Sequence, residues 1–255
     1  MATYKKRGSK PKDNRQETIQ EQSTTAEVFN TLDETASKSE QWIEKNSKPL
    51  FYSLVLVAVV ILGYLGYNKY IIEPTETEAA NELAFPRKHF NQANTVSVGV
   101  DSLLNLGLEG ADGKYGFTDI ASTYSGTKAG NLANYYAGLS YLKMKQYDKA
   151  IEYLSKFSSD DELLGPTAIG AVGDAFADIN QSSDALKYYE DAANKKANDF
   201  TTPLFLFKAG VTAMELKEYS KALTLFKKIK SDYSTSFQGG KIDQYISSAE
   251  FAAKN

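Results

Sequence analysis

From Leu50 to Tyr67 the chain reads LFYSLVLVAVVILGYLGY, eighteen residues without a charged side chain, and no other stretch restricts its fold as strongly. As a helix rising 1.5 Å per residue it reaches about 27 Å, close to the roughly 30 Å hydrocarbon core of a bilayer. Ile71 and Ile72, beyond Lys69, lengthen the apolar span. Leu, Ile, Phe and Val fill eleven of the eighteen positions. Each favours insertion near the bilayer centre by roughly 0.3–0.6 kcal/mol. A buried core helix of this purity does not suit so small a domain. A cleaved signal peptide would stand nearer the N-terminus and end at a small-x-small site, whereas forty-nine residues come first here and the exit reads GYLGYNKYIIEP. The segment 49–72 is therefore expected to be a retained, single membrane-spanning helix.

The span divides the chain into parts of different charge. Ten Lys and Arg stand against eight acids before Ile71, and nineteen against twenty-four after it, giving about +2 and −5 within the total of −3. Neither balance is that of a nucleic-acid binder. There is no cysteine, which excludes disulfides, thiolate metal sites and thiol catalysis together. Residues 4–15, YKKRGSKPKDNR, carry six basic groups and one acid, too little apolar surface to fold, so 1–24 is expected to be a disordered basic cytoplasmic tail. Such a tail resists translocation, and contact with anionic lipid or with ribosomal RNA is its other reading. Lys38, Lys45 and Lys48 flank the span on this side and Lys69 alone on the other, which places the N-terminus in the cytoplasm. Between tail and span, 25–48 has Val28, Phe29, Leu32 and Ala36 at helical spacing. This juxtamembrane amphipathic helix either lies on the membrane with Trp42 and Ile43, or docks a cytoplasmic partner through Phe29 and Leu32.

After the span, Pro74 is expected to interrupt the helix, and Thr75 with Glu78 forms a capping-box pattern that would start another running to about Asn91. So short a link holds the soluble part close to the membrane surface. Residues 73–129 read as its helical N-terminal portion, with two short helices, around Leu103, Leu104 and Leu106 and around Phe117 and Ile120, separated by the loop EGADGKYG.

From residue 130 the chain repeats itself. Gly138, Tyr141, Ala150 and Leu154 recur as Gly173, Phe176, Ala185 and Tyr189, then as Gly210, Ala213, Ala222 and Phe226. The spacing matches tetratricopeptide repeats, helix-turn-helix units of about 34 residues. The fold class that follows is all-α: a transmembrane helix, then a solenoid of three repeats over 130–234, closed by a capping helix over 235–255. Gly138, Ala150, Gly173, Ala185, Gly210 and Ala222 are expected where the two helices of each unit cross, since larger side chains there would push the backbones apart. Pro166 and Pro203 are expected at the first helical position of the second and third units. Asn134, Ile169 and Leu206 replace the Trp of the repeat pattern, and its closing Pro is missing from all three units.

In such arrays the first helix of each unit lines the concave face. Counting from the glycines places Tyr135, Leu139 and Leu142 there in the first unit and Phe207, Val211 and Met214 in the third, with Gly170, Asp174, Ala177 and Asp178 between them. Two apolar patches flanking a small acidic saddle would suit a peptide with apolar anchors and a basic or polar middle, Tyr135 and Phe207 being the anchors. The alternative is that these side chains pack against flanking helices of the same chain.

No catalytic or cofactor chemistry is legible. His89 stands alone in RKH and is expected at the surface. Asp160, Asp161 and Glu162 precede a helix and read as capping groups. EGADGKYG lacks the GKS or GKT ending of a phosphate loop. No metal, no cofactor and no enzymatic activity are expected.

The layout as a whole resembles the single-pass tetratricopeptide proteins of Gram-negative bacteria in the ancillary SecYEG translocon subunit group. The resemblance is carried by GFTDIASTYSGTKAGNLANYYAG (116–138), DDELLGPTAIGAVGDAF (160–176) and NDFTTPLFLFKAG (198–210). It implies a periplasmic repeat domain on an inner-membrane anchor, working beside the SecYEG translocon with a membrane-anchored chaperone or prolyl isomerase. An assembly factor for another envelope complex has the same layout. An organelle receptor would need a Lys- and Asn-lined carboxylate clamp, and Tyr135, Leu139, Gly170 and Asp174 occupy those places.

Overall fold

The computed structural model describes residues 24–254, and the side chains of 31, 32, 35–37 and 39–254. The basic tail, Thr24 apart, and the side chain of Phe29 lie outside them. All regular structure among the described residues is helical; a lone bridge joins Ala111 to Lys114. The chain forms two compact units, to Asn68 and from Lys69.

In the first unit, α1 is a single helix from Thr24 to Tyr67 that runs through Pro49, so the juxtamembrane segment and the span are not separate helices. A turn before that proline, side-chain donors engage backbone carbonyls, Asn46 Nδ2 on Trp42 (2.7 Å) and Ser47 Oγ on Glu44 (2.9 Å). Leu32 is exposed, and so is every large apolar side chain from Leu50 to Tyr67. The helix is long and apolar enough to cross a membrane, and none of its most apolar window is buried.

Around Pro74 the structure departs from the expected capping box. A π-helical turn, Asn68–Ile72, precedes α2 (Glu73–Glu82), in which Pro74 occupies the first turn. Thr75 is already helical, its hydroxyl donating to the Ile71 carbonyl at 2.7 Å. A widened turn relieves the clash between a proline ring and the carbonyl four residues back, so no new cap is required.

The second unit continues with α3 (Ala84–Ala93), α4 (Val100–Glu109) and α5 (Phe117–Thr123), which pack Leu83, Phe90, Leu104, Leu108, Phe117 and Ile120 into one core. Three helical hairpins follow: α6 (Lys128–Lys143) with α7 (Tyr147–Lys156), α8 (Leu164–Asp178) with α9 (Ser182–Lys195), and α10 (Thr201–Glu215) with α11 (Tyr219–Asp232). A 3-10 turn, Gly239–Lys241, leads into α12 (Ile242–Ala252).

Each hairpin is made by the same two devices. Its turn has a non-glycine residue in the left-handed region, Lys145 (φ 59°), Asn180 (φ 60°) or Lys217 (φ 62°). The next N–H reaches back to the first helix, from Gln146 to Tyr141, Gln181 to Phe176 and Glu218 to Ala213, at 2.8–2.9 Å. This is the left-handed helix ending that satisfies orphan carbonyls. The crossing is set by a glycine: a Cβ at Gly138 would stand 2.5 Å from Leu154 Cγ, one at Gly173 2.7 Å from Tyr189 Cε1, and one at Gly210 within the Phe226 ring contact. Ala150, Ala185 and Ala222 are fully buried.

The turns that join one hairpin to the next lie along one edge, held by side-chain amides. Asn131 exchanges two hydrogen bonds with Ser158, at 2.7 and 3.0 Å. The Asp161 carboxylate accepts from the N–H groups of Leu163 and Leu164, which start α8 and hold this carboxyl below its ordinary range. Asn198 does the same for Phe200 and Thr201 at the start of α10, and donates to the Glu162 carbonyl. Pro166 and Pro203 are the third residues of α8 and α10, not the first. The shift is tolerated because every N–H of a helix's first turn lacks an intrahelical acceptor.

Candidate protein-interaction surface

The first helices of the hairpins, α6, α8 and α10, carry the residues expected to line a groove. Leu139 and Leu142 are half-buried and pack against the cluster formed by Leu154, Ala168 and Val172. Tyr135 belongs to that cluster: it is 7% exposed and its ring lies 5.0 Å from Phe157. The side chain expected as an open anchor is thus packed among α6, α7 and α8, and burial raises its hydroxyl pKa.

The middle unit carries less charge than its sequence implies. The Asp174 carboxylate accepts from the Tyr189 hydroxyl at 2.7 Å and from Lys208 Nζ at 2.6 and 2.9 Å, so a cation from the third unit neutralises it. Lys208 also lies over the Tyr189 ring, 5.5 Å from its centroid. Burial, then the bond to Asp174, pushes the Tyr189 hydroxyl far above its ordinary range, which keeps it a neutral donor. Asp178 is exposed and, unlike Asp174, has no cation at salt-bridge distance among the described residues; burial and then its charge raise the Tyr147 hydroxyl. Gly170 is not a lining residue: a Cβ there would stand inside the Phe205 ring. Phe205 is 3% exposed and stacks on Tyr189 at 6.5 Å.

In the third unit Phe207, Val211 and Met214 are half-buried against the C-terminal core. Phe207 meets Tyr245 of α12 edge-on at 4.7 Å and Phe226 at 6.2 Å. At this end Phe207 therefore packs against the closing helix of the same chain. Leu139, Leu142, Ala177, Val211 and Met214 are each half-buried on the first helix of their hairpin, and the Asp174–Lys208 pair joins the second unit to the third.

His89 is not the exposed residue expected. Its ring lies 4.6 Å from Phe85, and its Nδ1 is buried without a hydrogen-bond partner. Among the described residues no three His, Cys, Asp or Glu side chains come together as metal ligands. Sequence reasoning missed Phe205, Lys208 and Asn198, of which only Asn198 left a trace, as a capping residue a few positions before Pro203.

The sequence model of the tetratricopeptide repeat family matches residues 132–161 and 205–236, which are α6–α7 and α10–α11. No curated protein and no solved structure matches the chain. The α8–α9 hairpin lies between the matched pairs and repeats their turn geometry and glycine crossing. The chain therefore carries tetratricopeptide repeats in an all-α, solenoid-like fold, a type of structure that serves protein–protein interaction.

Proposed function

We propose that this chain is a non-enzymatic scaffold anchored by one helix in the inner membrane, its repeats in the periplasm beside the Sec translocon. There they receive emerging secretory proteins or hold a membrane-anchored chaperone or prolyl isomerase that acts on them. The observation that carries the reading is the pairing, in one chain, of α1, whose large apolar side chains from Leu50 to Tyr67 stand exposed, with tetratricopeptide repeats. Apolar side chains exposed along eighteen residues are stable in lipid and unstable in water. The basic residues before the span and the chain's resemblance to translocon-associated proteins support the orientation and the partner. An unfolded segment leaving a translocon presents apolar side chains at irregular spacing, and the half-buried Leu139, Leu142, Val211 and Met214 would hold such a segment weakly and without strict sequence demands.

Two measurements test this. Protease added to spheroplasts digests residues 75–255 and spares a tag on the N-terminus; the reverse pattern refutes the periplasmic placement. Affinity isolation from detergent-solubilised membranes brings down translocon subunits or a folding factor; recovery of a different envelope complex instead identifies an assembly factor and refutes the translocon assignment.

A further inference from the structure

Three large apolar side chains stand exposed at equivalent places in the repeat unit: Leu163 (50%), Phe200 (78%) and Phe237 (75%), each separated from the next by 37 residues. Leu163 and Phe200 immediately precede α8 and α10, and Phe237 precedes the 3-10 turn that opens α12. A surface residue that only fills a turn is usually polar, and Lys128 occupies the corresponding place at the start of α6. Direct contacts trace a single edge through all four places. The Glu76 carboxylate accepts from the Lys128 N–H at 3.1 Å, Asn131 bonds Ser158, Asn198 bonds the Glu162 carbonyl, and Phe200 and Phe237 flank one depression of about 440 Å³ with Leu204 and Tyr233.

Glu76 lies near the start of this unit, which begins at Lys69, and stands only nine residues after Tyr67, the last residue of the apolar segment. Nine residues span at most about 30 Å. If that segment lies in a bilayer, as the proposed function holds, a lipid surface is within covalent reach of this edge. Charges along the edge nearly balance, Asp160, Asp161, Glu162 and Asp199 against Lys195, Lys196 and Lys241, so apolar contact and not charge attraction is what the edge offers. Lys241 has its Nζ 4.0 Å over the Phe237 ring, a pairing of cation and ring suited to the headgroup layer.

We infer that the edge carrying Leu163, Phe200 and Phe237 rests on the bilayer in which the chain is anchored, the two Phe rings entering the headgroup region. The hairpin turns at Lys145, Asn180 and Lys217, at the other ends of these helices, then face away from the lipid. The inference rests on the membrane anchor proposed above.

The absence of cysteine makes the test direct. The full chain, carrying Thr235→Cys on this edge or Ser183→Cys on the opposite one, is labelled with a polarity-sensitive dye and reconstituted in phosphatidylcholine vesicles containing nitroxide lipids. The label at 235 is quenched several-fold more than the label at 183, and Phe200→Ser with Phe237→Ser removes the difference while Phe237→Leu keeps most of it. If alkaline washing strips the chain from the vesicles, the anchor itself falls and this contact with it. If the chain stays in the bilayer and both labels are quenched alike, the anchor stands and the lipid contact is refuted, which leaves the row to a protein partner.

Discussion

Replacing Gly170 by Val tests how adjacent repeats are joined. The side chain would start from a Cβ placed within the ring of Phe205, which is 3% exposed, stacks on Tyr189 at 6.5 Å, and has Lys208 6.0 Å from its centroid. The ring must retreat by about 1.5–2 Å to restore ordinary contact, and it has no open side to retreat to. Overpacking of this kind costs about 1–3 kcal/mol, against a gain of about 0.3 kcal/mol for Val over Gly in a helix, so the net loss is about 2 kcal/mol. For a unit of this size that lowers the melting temperature by roughly 4–8 °C. Far-UV circular dichroism melts of the detergent-solubilised full chain read it out. Gly126→Val, where a Cβ meets nothing within 4 Å, is the control and melts with wild type. Phe205→Leu, which frees space at the same contact, recovers part of the loss when combined with Gly170→Val, a coupling expected only of residues in contact. Wild-type melting of Gly170→Val refutes the placement of α8 against α10.

Lys217→Gly removes a side chain from a left-handed turn and stabilises by up to about 1 kcal/mol, the relief of roughly 1–2 kcal/mol being partly offset by the freer unfolded chain; a lower melting temperature would contradict the turn geometry. Asn198→Ala breaks the cap of α10 and the tie to Glu162 together, costs about 1–2 kcal/mol, and exposes the 196–200 turn to limited proteolysis. The Tyr124 hydroxyl is pushed from 10.0 up to about 12 by burial and by Glu78. Its raised value favours the neutral form in the fold, so its contribution is complete below pH 10 and is lost as pH rises from 10 through about 12. Alkaline denaturation of Tyr124→Phe should lack that part of the wild-type loss, and identical curves would show that Tyr124 is not held by Glu78.

The repeat hairpins were legible because their signal is a pattern of sizes. Small residues at Gly138, Gly173 and Gly210 with a large partner at Leu154, Tyr189 and Phe226 can be read without knowing any distance. The left-handed turn residues were not, since two of the three are lysines and nothing in the lysine side chain announces a positive φ. Pro74 misled for a related reason: a proline in sequence reads as a break, but the backbone accommodates it in a widened turn that has no compositional mark. Tyr135 was placed on the right helix, yet whether its ring faces a groove or the next unit depends on Phe157 and Ala168, whose positions follow from packing among three helices. The Asp174–Lys208 pair joins residues 34 positions apart, one from each of two units, and only the superhelix brings them together.

That pair, together with Phe205, changes what the groove can select. Read from sequence, the small and acidic middle unit is a recess that takes a basic segment. In the fold its smallness receives side chains of the same chain, Phe205 over Gly170 and Tyr189 over Gly173, and its acidity is half answered by Lys208. In the proposed groove a ligand crossing the middle would meet a filled surface with little net charge and would take its contacts from Leu139 and Leu142 on one side and Val211 and Met214 on the other. None of these is an aromatic anchor, since Tyr135 is enclosed and Phe207 is shared with Tyr245. Binding of that proposed kind would depend on the spacing between two apolar contacts more than on any single side chain, and would dissociate quickly. The translocon scaffold proposed above, receiving many different secretory chains, would need both properties.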